Sequence, residues 1–324
     1  MNLHRRAFLL GFAAGVATLP ALSRTGWAQS YPTRAARIIV GFPPGTSSDI
    51  CARLIAQSLS ERLGQQFVVE NRTGAGTNIA AETVVQAAPD GYTLLWVTQT
   101  NAINGTLYTN LKFNFMHDIA PVAGVITVPT VMMVNPGVPA KTLPEFIACA
   151  KANPGKINMS SPGIGSANHV LGELFQMMTG TKLTHVPYKG SQFPDLLSGQ
   201  VQVTFNPLPS SLAFIKDGKL RALAVTSATR PTVLPDVPTV GEIVPGYEGF
   251  AWFGIGAPKN TPKEIVDTLN NAINAGLADP NLKAKLEELG GMPMVLTPAN
   301  FGKFIAAETE KWGKVVKFAN LKVE

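Results

Sequence analysis

Four short segments gather hydrogen-bonding side chains around small residues. They are Phe42-Pro43-Pro44-Gly45-Thr46-Ser47-Ser48-Asp49, Gly74-Ala75-Gly76-Thr77-Asn78, Thr98-Gln99-Thr100-Asn101 and Ser160-Ser161-Pro162-Gly163-Ile164-Gly165-Ser166-Ala167-Asn168. Between them they carry hydroxyls and carboxamides but only one carboxylate, Asp49, and no basic side chain or thiol. This chemistry holds an anion through N–H and O–H dipoles and suits binding more than proton transfer. Thr46 and Asp49 have capping-box spacing, so the plain role of both is to close a helix start. A glycine followed by hydroxyls at a helix N-terminus also presents free backbone N–H groups to a negative ligand. One such loop is a common turn; four, spread over both halves of the chain, point to an anion site.

Motifs for covalent and metal chemistry are missing. The sequence holds no G-x-S-x-G elbow, H-E-x-x-H, C-x-x-C or G-x-x-x-x-G-K-[ST] loop. Gly163-Ile164-Gly165 opens like a dinucleotide fingerprint, but Asn168 stands where the third glycine belongs. His117, His169 and His185 have no metal-ligand spacing. His169 follows the second-half glycine loop and could reach a ligand, though a local hydrogen bond at a helix start is the preferred reading. Cys51 and Cys149 each fall on the apolar side of a predicted helix and read as small buried hydrophobes. A disulfide between them is disfavoured by their separation. No catalytic residue, metal or cofactor is expected.

The elements around these loops alternate. Strands are predicted at 37–42, 67–70, 93–98, 156–160, 183–187, 201–205, 220–226 and 251–257. A long β-rich stretch at 122–134 is broken at Pro129. Helices are predicted at 48–63, 78–87, 143–152, 167–178, 193–198, 261–277, 281–289 and 298–319. Such alternation implies mostly parallel sheets covered on both faces, with ligand loops at the carboxyl ends of the strands. A chain of 324 residues suits two domains, and without a flexible linker it should cross between them more than once.

Met1 to Arg6 is basic, Ala7 to Leu22 is apolar, and Gly26-Trp27-Ala28 offers small residues at a cleavage point. Residues 1–28 therefore read as an export signal, with Arg5-Arg6 resembling a twin-arginine type. A membrane anchor is the weaker alternative, because the apolar run is short and interrupted by Gly11, Gly15 and Pro20. Removing the leader's three arginines lowers the net charge from +6 to +3. The remaining basic residues are scattered, which gives nucleic-acid binding little support.

Several ordered motifs make the chain resemble the extracytoplasmic receptors of tripartite tricarboxylate transporters, the Bug receptor family. They include residues 38–49 (IIVGFPPGTSSD), 70–78 (ENRTGAGTN), Pro89-Asp90-Gly91-Tyr92-Thr93-Leu94, 163–166 with His169, and 185–190 (HVPYKG). Residues 199–202 (GQVQ), 221–227 (RALAVTS), 234–240 (LPDVPTV) and 312–316 (WGKVV) extend the match almost to the C-terminus.

The resemblance implies an α/β, two-lobed type II periplasmic-binding-protein fold with the ligand cleft between lobes. Lobe 1 would comprise residues 29–132 and 246–324, and lobe 2 residues 133–245. It further implies a periplasmic, monomeric receptor that is not an enzyme. The receptor would bind a small carboxylate and deliver it to two integral membrane transporter subunits. An extracytoplasmic sensor feeding a membrane signalling protein is the alternative. By position, the ligand would meet Phe42, Thr46, Ser47 and Ser48, then Thr77 and Asn78, then Gly163, Ser166 and Ala167. Tyr188 and Asn206 would close the second wall, and Thr100 joins the set from its own loop. Two departures stand out. Hydroxyls replace a glycine run at Thr46-Ser47-Ser48, which narrows the pocket. Asn206 replaces the aspartate of amino-acid-binding members, which implies a ligand without a positive charge.

Overall fold

Runs of β-branched and aromatic residues bounded by Gly, Pro and Asn favour strands, and polar caps ahead of apolar-periodic stretches favour helices. The computed structural model describes residues 31–188 and 190–323. The expected export signal, residues 1–28, lies outside them. In chain order the elements are β1 (Ala36–Val40), α1 (Ser47–Leu63), β2 (Phe67–Asn71), a 3-10 turn (Ala75–Thr77), α2 (Asn78–Val85), β3 (Thr93–Thr98), α3 (Gln99–Leu107) and α4 (Phe115–Asp118). β4 (Ile119–Val128), β5 (Thr130–Val134), α5 (Leu143–Ala152), β6 (Asn158–Ser161), α6 (Ala167–Thr179), β7 (Thr184–Pro187), α7 (Phe193–Ser198) and β8 (Val203–Pro207) follow. The chain continues with α8 (Leu208–Lys216), β9 (Arg221–Val225), α9 (Val240–Ile243), β10 (Ala251–Pro258), α10 (Lys263–Leu277), α11 (Pro280–Glu288), β11 (Met292–Pro293) and α12 (Pro298–Phe318).

The strands form two sheets. One has the order β2-β1-β3-β10-β4-β11 and the other β7-β6-β8-β5-β9. In each, the second strand is flanked by two parallel neighbours: β1 by β2 and β3, β6 by β7 and β8. The fourth strand of each is antiparallel. The sheets are thus mixed, which corrects the expectation of mostly parallel ones. Periodicity marks a strand but not the sheet it joins. β10 arrives from the second sheet and β5 from the first, so each enters against the local strand direction.

Both faces of both sheets are covered, and side chains alternate between them as a strand dictates. Ile38, Leu94 and Trp96 pack with Cys51, Ile55 and Leu59 of α1 on one face of the first sheet. Ile39, Leu95 and Val97 pack with Ala80, Val84 and Phe301 on the other. In the second sheet Met132 and Phe205 meet Phe146 and Phe175, while Val131 and Met133 meet Leu196 and Leu208. Cys51 is buried and Cys149 half-buried, and both are free thiols. Burial pushes the Cys51 thiol up to about 12.

Two helices serve both sheets. Phe301 and Ile305 of α12 pack in the first core, but Trp312, Val315 and Val316 of the same helix pack in the second. Ile103 and Leu107 of α3 also join the second core. The molecule is two-lobed, and α3 and α12 pack in the cores of both sheets.

α3 begins directly at the end of β3, where a loop over Thr98–Asn101 was expected. Its Thr, Asn and Gly content is poor for helices. A legible signal was present: Thr98 and Asn101 form a reciprocal capping box, and Ile103 and Leu107 are four apart. α8 was also missed, although Leu208, Leu212 and Ile215 carry helical spacing behind Pro209.

Candidate functional site

Every candidate residue lies at the carboxyl end of one of three parallel strands in its sheet. β1 leads to Phe42, Thr46, Ser47 and Ser48; β2 to Thr77 and Asn78; β3 to Thr100. β6 leads to Gly163, Ser166 and Ala167, β7 to Tyr188, and β8 ends on Asn206 and Pro207. Parallel strands point their carboxyl ends to one edge, so each sheet gathers three helix starts there.

In the first sheet the three segments interlock. Gly41 passes so close to the 3-10 turn that a Cβ there would lie 2.6 Å from Thr77 Cβ. The Asn71 amide donates to Phe42 O at 2.9 Å and to Asp49 Oδ1 at 2.8 Å. Asp49 also accepts from the Gly45 N–H at 3.0 Å and from Arg53 at 2.9 and 3.0 Å. Burial pushes its carboxyl up, but the Arg53 guanidinium, the Gly45 N–H and the Asn71 amide outweigh that and hold it below the usual carboxylate range. Asp49 is therefore spent on the loop, and Thr46 caps α1 through Oγ1, which accepts from the Asp49 N–H at 3.4 Å.

Ala75 and Thr77 adopt φ of 44° and 76°. Positive φ at a β-branched residue is a strained conformation that surrounding contacts must enforce. Asn101 supplies one, donating from Nδ2 to Thr77 Oγ1 at 3.0 Å. Asn104 supplies another, donating to Gly76 O at 2.6 Å and to Asn78 Oδ1 at 2.8 Å. Because Gly76 O is only an acceptor, Asn104 must present its nitrogen there, and Asn78 must present its oxygen to Asn104. Asn78 Nδ2 is left as a donor. It is buried and has no partner among the described residues, and the same holds for Ser48 Oγ. Asn101 stands in one of the four hydrogen-bonding segments of the sequence, whereas Asn104 lies outside them; their place on α3 is what puts both here.

In the second sheet, Ser166 caps α6 by accepting from the His169 N–H at 3.3 Å. His169 Nδ1 accepts from the Gly165 N–H at 3.1 Å, the local role preferred for it. The Asn206 amide is fully engaged within the chain. It accepts from Asn168 at 2.9 Å and Gln192 at 3.2 Å, and donates to Ser210 and Ser211 at 2.8 and 3.1 Å. Asn168 closes the fourth segment of the sequence, whereas Gln192, Ser210 and Ser211 lie outside all four and are brought to Asn206 by the fold. Tyr188 Oη donates to Asp195 at 2.6 Å, and that bond, with some burial, pushes the phenol up to about 12. α3 connects the two sets: beyond Asn101 and Asn104 its Leu107 touches Gly165, where a Cβ would lie 2.0 Å from Leu107 Cδ2.

The family model described as "Tripartite tricarboxylate transporter family receptor" matches residues 51–321. The chain belongs to that family. BugT of Bordetella pertussis is 37% identical over 331 residues, covering 100% of this chain and 100% of its own length. Among solved structures, an R. palustris protein with adipate has a TM-score of 0.83 at 38% identity, covering 90% of this chain and 99% of that one. The periplasmic binding protein BugD has a TM-score of 0.81 at 33% identity, over 91% and 100%. MatC from Rhodopseudomonas palustris with bound malate has a TM-score of 0.79 at 30% identity, over 88% and 100%. The expected two-lobed periplasmic-binding-protein fold and the Bug resemblance are both borne out. Members of the tripartite tricarboxylate receptor family are periplasmic solute receptors. Among the described residues, no helix is long and apolar enough to cross a membrane.

Proposed function

We propose that this receptor captures a small organic carboxylate, uncharged or anionic in its remaining groups, between the two sets of helix starts. It is read as a monomeric periplasmic binding protein rather than an enzyme, one that presents its closed form to two membrane subunits of a tripartite transporter. The observation that carries the reading is the pair of buried donors without a partner among the described residues, Ser48 Oγ and Asn78 Nδ2, at the first turns of α1 and α2. First-turn N–H groups lack intrahelical acceptors and carry the positive end of the helix dipole. Two such ends with two spare side-chain donors match the lone pairs of one carboxylate. The adipate and malate of the two R. palustris structures are carboxylates of this kind.

Lobe 1 is proposed as residues 29–132 with 246–324, and lobe 2 as 133–245, with chain crossings near Pro129 and between β9 and β10. A cavity of about 210 Å³ lined by Thr127, Pro129, Ser227, Glu248 and Phe250 lies at these crossings. Closure follows if the second lobe's groups are satisfied only when the cleft shuts.

Thermal unfolding against a carboxylate panel tests this. A ligand at 100 times its Kd adds about 2.7 kcal/mol to stability. One carboxylate class should raise the midpoint while its amide or ester analogues do not. A midpoint that no member of a broad panel moves, in protein shown by mass spectrometry to carry no bound ligand, rules the reading out.

A further inference from the structure

Gln192 precedes α7 and is 4% exposed. Its amide belongs to a ring of neutral side chains at the carboxyl edge of the second sheet, and backbone carbonyls fix the direction of every bond in that ring. Ser210 and Ser211 each donate to Pro207 O, at 3.1 and 2.9 Å, so toward Asn206 they can only accept. Asn206 must then turn Nδ2 to the serines and Oδ1 to Asn168 and Gln192. Independently, Thr204 Oγ1 donates to Ser160 O at 3.0 Å and so accepts from Gln192 Nε2 at 2.9 Å. Both hydrogens of the Gln192 amide are thereby committed, and its Oε1 is an obligatory acceptor. That oxygen is buried and has no donor among the described residues.

A buried amide carbonyl without a donor is costly, and native proteins rarely leave one. The ring of Asn168, Gln192, Thr204, Asn206, Ser210 and Ser211 contains no ionised group. A bare carboxylate would meet a carbonyl of like polarity here, and an ammonium would find no counter-charge. A neutral O–H or N–H satisfies it. We propose that Gln192 is a specificity-determining residue whose side-chain carbonyl accepts from a hydroxyl or amide N–H of the bound carboxylate. The preferred ligands are therefore hydroxylated or amide-bearing carboxylates over their plain counterparts. This rests on the receptor reading above: the first lobe holds the carboxylate, and Gln192 reads the donor at the other wall.

The test is calorimetric titration of the purified chain with probes that differ by one hydroxyl: succinate with L- and D-malate, tricarballylate with citrate, and benzoate with 4-hydroxybenzoate. In the pair that binds tightest, the hydroxylated member should bind about tenfold or more better than its plain partner. Gln192→Met should bring the ratio within about twofold, chiefly by weakening the hydroxylated member. Gln192→Asn, which keeps an amide but draws its carbonyl back by one methylene, should also lose the preference, and thermal unfolding of both ligand-free variants guards against one that folds poorly. Equal affinities in every pair, or a ratio that survives Gln192→Met, overturn the inference while leaving the receptor reading intact. Failure of every probe to bind overturns this inference, and the receptor reading is then decided by the broad carboxylate panel.

Discussion

The imidazole of His169 lies flat on that of His185, with ring centroids 3.6 Å apart and planes 15° from parallel. Both rings brace the second-lobe glycine loop. His169 Nδ1 accepts from the Gly165 N–H, and His185 Nε2 lies 2.6 Å from Ser161 Oγ. Ser161 in turn contacts both the N–H and the carbonyl of Gly163, at 3.1 and 3.0 Å. Burial first, and then the neighbouring His169, lower the His185 pKa from 6.5 to about 3. As pH falls from 6.5 toward 3, the unfolded chain takes up a proton that the folded chain refuses, so stability declines. The slope for one such group is at most about 1.4 kcal/mol per pH unit. Denaturant midpoints between pH 7.5 and 4.5 should fall in this window, and His185→Gln should flatten the decline. Identical slopes in the two proteins would contradict the assignment.

Ser48→Ala separates binding from folding. Removing a buried hydroxyl that has no partner relieves a desolvation cost, so the ligand-free protein should be as stable as before or gain up to about 1 kcal/mol. The rise in midpoint caused by a carboxylate should shrink at the same time. A variant that unfolds earlier yet keeps its full response to carboxylate would show that the hydroxyl serves the fold.

Glu308 on α12 links the two cores through two indoles. Its Oε2 accepts from Trp252 Nε1 at 2.9 Å, on β10 of the first sheet, and from Trp312 Nε1 at 2.8 Å, in the core of the second. Glu308→Ala leaves two buried N–H groups without this acceptor and should cost about 2–4 kcal/mol. Glu308→Gln retains an oxygen and should cost less. Urea titrations with tryptophan fluorescence check both, and a loss below about 0.5 kcal/mol for the alanine variant would refute the role.

Gly165 and Gly45 make a matched pair. Both have left-handed φ, 74° and 79°, but only at Gly165 would a Cβ collide, with Leu107 of α3. Gly45→Ala should cost about 1 kcal/mol, from backbone strain alone. Gly165→Ala should cost clearly more and weaken ligand binding, because the loop must leave α3. Equal losses in stability and affinity would mean that the Gly165–Leu107 approach is not used.

The sequence by itself determined the parts. Polar caps such as Thr46, Thr142 and Ser166, and buried runs such as Thr93–Thr98, placed most helices and strands within a few residues. These signals are local, since a cap or a two-residue period acts within a few residues of itself. The loops with hydroxyls and amides were legible for the same reason, as was the family likeness. Tertiary structure decided what those parts face. No spacing in the sequence told that β5 and β10 would change sheets and run antiparallel, or that Asn101 and Asn104 would hold the strained turn at Ala75–Thr77. Nor did it tell that Asn206 would be consumed by its neighbours while the Gln192 carbonyl kept no donor among the described residues. A hydrogen-bonding side chain in sequence offers several donors and acceptors. Which of them remain for a ligand is settled only when groups from distant strands have taken their share.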